Sequence, residues 1–312
     1  MNSLRILSRG DPTDELIATI AILKADAVPP SKLSGLLEYV GSAVDLLPPA
    51  FGGTELPGRP MLLDAFSASV LESAERDVSA WQASGLEAWT MLHPRYPTNL
   101  QSVFDKPPFV FVEGDWNDPV DSRALAIVGT RTASEDGRKR AYRLAKRLAE
   151  AGITIISGLA RGIDAAAHRG ALAGGGRTVA VLGTGITRRY PPENASLADD
   201  ILASHGVILS QFFPKQPPTK WTFPVRNLTM SGLSLATIVI EAGATSGARM
   251  QAEAALIHGR PVFLPSSLVE SHSWARAMVE RGHKGALATE VASAEDVIQR
   301  LDLSPEADLL IA

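Results

Sequence analysis

The sequence contains no cysteine. Disulfide frameworks, thiolate nucleophiles and Cys-based zinc or iron–sulfur sites are therefore excluded. Aromatic residues make up only 6% of the 312 positions. No apolar run approaches the roughly 18 residues of a membrane span. The first residues, through Glu15, lack the apolar core of a secretory signal and turn acidic early, so a cytoplasmic location is expected. Several signatures are also missing: a G-x-x-x-x-G-K-[ST] phosphate loop, a G-x-S-x-G elbow, an H-E-x-x-H zinc pair and a complete G-x-G-x-x-G fingerprint. His93, His168, His205, His258, His272 and His283 show no metal-ligand spacing. No metal, cofactor or catalytic constellation is expected.

What remains is ordinary globular material, 45% apolar and 21% charged. Acidic residues outnumber basic ones by 34 to 30, for a net charge of −4. That balance argues weakly against a surface coated in nucleic acid and leaves a local basic groove open. Between Arg123 and Arg147 there are eight basic residues (Arg123, Arg131, Arg138, Lys139, Arg140, Arg143, Lys146, Arg147) against Glu135 and Asp136, a local excess of +6. Arg138, Lys139 and Lys146 fit the solvated face of a helix.

Two textures divide the chain, with a boundary expected after residue 85. Before it, Leu16, Ile17, Ile20 and Leu23 have helical spacing. Ser31 is placed to cap a helix carrying Leu33, Leu36, Leu37 and Val40. A short helix is expected over Ala43–Leu47, a Gly/Pro loop over Pro48–Pro60, and a helix over 62–83 ended by Ser84-Gly85. Beyond the boundary, after a short strand at Phe109–Glu113, apolar runs alternate with amphipathic segments. Strands are expected at 125–128, 153–156, 178–182, 207–209, 235–240 and 261–264. Helices are expected at 134–151, 162–172, 194–204, 246–258, 273–282 and 293–302, with Ser134 as a cap. This order predicts an α/β fold with a doubly wound, mostly parallel sheet.

Ligands of such sheets bind beyond the carboxyl ends of the strands. Turns of small residues follow there, four of the five containing glycine: Gly129-Thr130-Arg131, Ser157 through Asp164, Gly183-Thr184-Gly185, Glu241 through Gly247, and Pro265-Ser266-Ser267. One such turn needs no ligand. Five on one edge, two of them containing arginine, favour an anion site built from free amides and helix N-termini. Arg131 and Arg161 are the expected phosphate contacts. Asp164 and His168, one helical turn apart, are expected to orient the loop as a pair. The run Lys220 through Asn227 interleaves cations with Trp221 and Phe223, a pattern suited to stacking bases while holding a backbone, with one of the two rings expected in the core.

These segments carry a resemblance. VGTR, SGLARGIDAAAH, ALAGGGRTVAVLGTGITRRYPPEN, FPVRN, SGLS and VIEAGATSG, in this order, are similar to the DNA-processing protein A (DprA/Smf) family over roughly residues 90–300. The resemblance implies an extended Rossmann-like domain that binds single-stranded DNA without strong sequence preference, forms a homodimer and loads a RecA-type recombinase. It implies a phosphate pocket of Ser157, Gly158, Arg161, Gly162, Gly129, Arg131, Arg226 and Asn227. To these the local chemistry adds Lys220, Ser246 and Gly247 as contacts, with Asp164, His168 and Glu241 in support. The N-terminal segment is similar to the small SAM/helix-hairpin-helix-like domain often found there.

Departures from the pattern are visible. Leu228 stands where the family has the second arginine of Arg-Asn-Arg. Pro265-Ser266 replaces Pro-Gly, and Ser271 through Arg276 replaces Gly-x-Asn-x-Leu-Ile. Ala25 through Pro30 lacks the hairpin glycines, and the chain ends soon after Leu301, so the winged helix of many members is expected to be missing. These changes suggest a divergent paralogue acting in transformation, in recombination or in defence against foreign DNA with a defence-system partner. The alternative reading is a nucleotide-sensing or phosphoribohydrolase-like protein, with Glu241 at a strand end beside a phosphate cradle. The phosphoribohydrolase pattern Pro-Gly-Gly-x-Gly-Thr is absent, and Glu241 is expected to bind loop amides instead.

Overall fold

A computed structural model describes residues 5–54 and 66–303. The chain forms two compact units, Met1–Tyr96 with Phe104–Val112, and Pro97–Val103 with Glu113–Ala312. By compactness, the first unit runs to Tyr96 and takes in Phe104–Val112 as well.

In the first unit, α1 (Pro12–Lys24) begins at Asp11, whose carboxylate accepts the amides of Thr13 and Asp14. Glu15 is buried in this helix and accepts from Ser42 Oγ and the Ala43 amide, both at 2.6 Å. That carboxylate fixes the turn leading into a short 3-10 helix, Val44–Leu46. α2 (Pro30–Val40) starts at Pro29 with no side-chain cap, so Ser31 lies inside the first turn instead of capping it. Proline pre-sets the backbone at that position and needs no amide there. α3 (Ala68–Ala83) accounts for most of the expected 62–83 helix, whose first residues, 62–65, lie outside the described part, as do 55–60 of the expected loop. β1 (Glu87–Thr90) pairs antiparallel with β2 (Phe109–Gly114), Trp89 opposite Val110.

The second unit holds α4 (Thr98–Gln101), α5 (Asp118–Asp121), β3 (Ala124–Val128), α6 (Glu135–Glu150), β4 (Thr154–Ser157), α7 (Ile163–Ala173), β5 (Thr178–Val181), α8 (Ala195–Ala203), β6 (Val207–Ser210), α9 (Thr222–Leu233), β7 (Ala236–Val239), α10 (Gly247–Ile257), β8 (Val262–Pro265), α11 (Ser266–Ser271), α12 (Ser273–Glu280), β9 (Thr289–Val291) and α13 (Ala294–Arg300). Its strands lie in the order β6-β5-β4-β3-β7-β8-β9, and every neighbouring pair is parallel. The chain leaves β3 toward β6 on one side, then returns to β7 and proceeds the other way. The reversal leaves a crevice between β3 and β7, where open α/β sheets bind ligands.

Both sheet faces are covered. Leu125 and Ile127 of β3 join a core with Leu148, Ile155, Ile163, Ile238 and Phe263. Ala126 and Val128 alternate to the other face and are buried as well. Continuous burial explains why these strands read as unbroken apolar runs. Asp121, fully buried, accepts from Arg177 Nε at 2.9 Å and Nη2 at 2.7 Å. No helix among the described residues is long and apolar enough to cross a membrane.

Candidate functional site

A cavity of about 380 Å³ opens at the carboxyl ends of β3 and β7. Three parts of the chain build it. The turn after β3 contributes Gly129, Thr130 and Arg131. One face of α9 contributes Phe223, Arg226, Asn227 and Met230, a spacing of three, four and seven residues. The amino end of α10 contributes Ser246, Gly247 and Ala248, and one turn later Gln251. A second cavity of about 310 Å³ shares Arg131, Ala160, Phe223 and Arg226, and adds Gly158, Arg161 and Tyr190 among others.

Arg226 is buried and heavily bonded. Its Nη1 donates to the carbonyls of Gly158 and Val181, each at 2.7 Å. Its Nε donates to Asn227 Oδ1 at 3.1 Å, and Asn227 Nδ2 donates to the Gly247 carbonyl at 3.1 Å. Two neighbouring residues of α9 thereby hold the ends of β4 and β5 and the start of α10. Burial lowers the Arg226 pKa to about 10, partly offset by Asp164, so the guanidinium stays charged at neutral pH. Burial also raises the Asp164 carboxyl, against the opposing effects of Arg226, the amides of Ala160 and Gly158, and Arg131. Gly158 has a steric reason to be glycine: a β-carbon there would collide with the Arg226 guanidinium. Gly162 has two. Its φ is +75°, and a β-carbon would press on the carbonyls of Thr130 and Arg131 in the adjacent turn.

Arg131 contrasts with Arg226. It is exposed, and its guanidinium lies 4.6 Å from the centre of the half-buried Phe223 ring. The Tyr190 ring lies 6.0 Å from the same ring. Arg161 is exposed and paired with Glu193.

The helix N-termini around the strand ends are not equivalent. At α6, the Glu241 carboxylate accepts Ser134 N at 3.1 Å and Ser134 Oγ at 2.7 Å, and Glu135 and Asp136 fill the first turn. At α7, Asp164 occupies the first turn and accepts the Gly158 amide at 3.2 Å. The first turn of α10 carries no acidic residue; Ser246 caps it by accepting the Ala248 amide. The positive end of α10 is therefore uncompensated by carboxylate, and it faces the larger cavity.

Of the residues singled out from sequence, Gly129, Arg131, Arg226, Asn227, Ser246 and Gly247 line the larger cavity together with Asp164. Gly158 and Arg161 line the smaller one. Ser157, Gly162, Lys220, His168 and Glu241 line neither. Four expectations change. Ser157 is buried and donates its hydroxyl to the Ile127 carbonyl at 2.6 Å, so it supports the strand end and leaves no hydroxyl for phosphate. His168 does not pair with Asp164. Its Nδ1 meets Thr178 Oγ1 at 2.7 Å; that hydroxyl donates to the Ile155 carbonyl, which makes the imidazole the donor. Arg226 is a buried structural cation rather than a free one. Neither ring of the aromatic pair is in the core: Trp221 is 55% exposed and Phe223 is half-buried at both cavities. Sequence reasoning missed Met230 and Gln251. Their signal was helical spacing, from Phe223 to Met230 and from Gly247 to Gln251.

The family model for DNA recombination-mediator protein A matches residues 87–302. The DNA processing protein DprA of Bacillus subtilis is 36% identical over 227 residues, which cover 72% of this chain and 75% of that one. Protein Smf of Escherichia coli is 42% identical over 168 residues, 54% of this chain and 45% of that protein. The X-ray structure of DprA from Streptococcus pneumoniae superposes with a TM-score of 0.68 at 28% identity, covering 89% of this chain and 95% of that one. DprA from Helicobacter pylori, solved for its single-stranded DNA binding mode, shares the fold with a TM-score of 0.60 at 24% identity, covering 69% and 95%. With a match across most of the α/β unit, the chain belongs to the DNA recombination-mediator protein A family.

Proposed function

We propose that this chain binds single-stranded DNA at the crevice between β3 and β7, without catalysing a reaction on it. One observation carries the reading. An exposed arginine, an aromatic ring and an uncompensated helix N-terminus open onto one cavity, through Arg131, Phe223 and the start of α10. Amides and a guanidinium suit a phosphate, and the ring suits a base face. Gly129, Gly158, Ser246 and Gly247 bring backbone to the ligand. Arg226, Asn227 and Asp164 hold the walls, with Ser157, Gly162 and His168 behind them. Arg161, Lys220 and Trp221 are exposed and extend the path of a strand. The Helicobacter pylori relative of the same fold is described as binding single-stranded DNA, which supports the assignment. We further propose that the chain forms a homodimer and loads a RecA-type recombinase or acts in defence against foreign DNA.

A phosphoribohydrolase reading loses its carboxylate. Glu241 is bonded to Ser134, its carbonyl accepts the Thr130 amide at 2.7 Å, and it does not line the cavity. The test is a mobility titration with single- and double-stranded oligonucleotides at two salt concentrations. Arg131→Ala is expected to weaken single-strand binding about tenfold for all sequences alike and to flatten the slope of log affinity against log salt by about 0.7. Absence of single-strand binding by the wild type at low salt overturns the proposal.

A further inference from the structure

A third cavity, of about 280 Å³, shares no lining residue with the other two. It opens between α6 on one side and the end of β9 with the start of α13 on the other. Its floor is apolar. Ile240, Val291 and Val297 belong to the core on the α6 face of the sheet, and Leu144 packs against that core. The residues leading into α13 are small, Ala292, Ser293 and Ala294, and leave the gap between the two helices unfilled.

The α6 wall is cationic. Arg140, Arg143 and Arg147 line it at spacings of three and four residues, which place them on one helix face. Arg147 meets Glu295 of α13 at 2.7 Å. Arg143 is exposed and gives its Nε to the Lys139 carbonyl at 3.3 Å, with no carboxylate partner among the described residues. Arg140 is half-buried. Its Nη1 donates to Ser267 Oγ, and its Nε is buried with no hydrogen-bond partner. A core edge facing an unfilled gap forfeits dispersion contacts, and a buried N–H without an acceptor is costly. Two like charges four residues apart, Arg143 and Arg147, add repulsion along the helix. One kind of molecule relieves all three.

We propose that this cavity binds a small amphipathic carboxylate, with its aliphatic body on Ile240, Val291 and Leu144 and its carboxylate held by Arg140 and Arg143. The flat fork of a guanidinium matches the two oxygens of a carboxylate, and its weak hydration suits a site with an apolar floor. Arg140 turns from Ser267 to bring its Nε to the ligand. An inorganic anion would leave the floor bare, and an uncharged apolar molecule would leave both cations unanswered. The site does not rest on the single-strand reading above.

The test is isothermal titration of the full chain with octanoate, acetate and octanol, which carry both features, the charge alone and the apolar body alone. Octanoate is expected to saturate at about a millimolar or below. Octanol should bind at least about tenfold more weakly, and acetate should not saturate in the same range. Arg143→Glu and Arg140→Met are each expected to weaken octanoate about tenfold while leaving octanol unchanged. Arg143 is exposed, so its variant should melt within a few degrees of the wild type and keeps the test open if Arg140→Met impairs folding. Arg131→Ala, at the other cavities, should leave octanoate binding unchanged. Three results overturn the proposal: no saturation by octanoate, equal affinity for octanoate and octanol, or octanoate binding that survives every folded arginine variant of α6. Loss of octanoate binding in Arg131→Ala also overturns it, because the carboxylate then sits at the strand ends of β3 and β7.

Discussion

His168 has one bonded ring nitrogen, Nδ1, and one buried nitrogen with no partner, Nε2. Burial, helped by Arg226 and Arg169, lowers its pKa to about 3 from an ordinary 6.5. The unfolded chain therefore binds a proton that the folded chain refuses between those values. The resulting stability is full above pH 6.5 and is lost as pH falls toward 3, at about 1.4 kcal/mol per pH unit. Denaturation at several pH values should show this slope in the wild type, and His168→Gln should flatten it. The two arginines at the cavity should separate in the same way. Arg226→Ala abandons two carbonyls and a buried carboxylate and is expected to cost about 3–5 kcal/mol of stability. Arg131→Ala should leave the melting temperature within a degree or two, about the level of a neutral surface change, while weakening DNA binding. Parallel thermal and binding measurements on the two variants check the contrast.

At the level of elements, Ser246 and Gly158 do different jobs for the same cavity. Ser246→Ala removes the α10 cap and should cost about 1 kcal/mol, read as a shift in the denaturation midpoint. Gly158→Ala should cost more, since its β-carbon displaces the guanidinium that holds β4 to β5. Strands β3 to β8 were legible because burial on both faces leaves continuous apolar runs, and the cap Ser134 was legible by residue type and position, whereas Ser246 was read as a ligand contact and caps α10. α9 was not. Pro224 sits in its first turn, where proline is tolerated, and Ser231 with Gly232 near its end imitate a loop. With the helix unseen, Lys220 through Asn227 read as one extended contact strip, although Lys220 and Trp221 precede the helix and Arg226 is buried by it. β1 and β9, with four and three residues, are too short to display a period. The Asp164–His168 pair failed for a related reason. Spacing along one helix shows that two residues are neighbours, but the partner of His168 came from β5.

For the molecule as a whole, the −4 net charge and the local +6 largely answer each other. On α6, Lys139 pairs with Glu135 at 2.6 Å, and Arg147 with Glu295 at 2.7 Å. These cations belong to a solvated helix face, and the exposed cations near the two cavities and the start of α9 are Arg131, Arg161 and Lys220. Three such contacts give an expected slope of log affinity against log salt of about −2. Arg143→Glu should change affinity less than about twofold at moderate salt, where exposed charges beyond a Debye length of about 8–10 Å are screened. A salt titration of both proteins checks this. The bonds of Arg226 have one more consequence, in the time domain. The Gly158 amide is donated to Asp164, and the Gly158 carbonyl is held by a side chain that arrives on α9. Solvent therefore reaches that amide when α9 undocks, and hydrogen–deuterium exchange should open residues 157–164 and 222–233 as one cooperative unit.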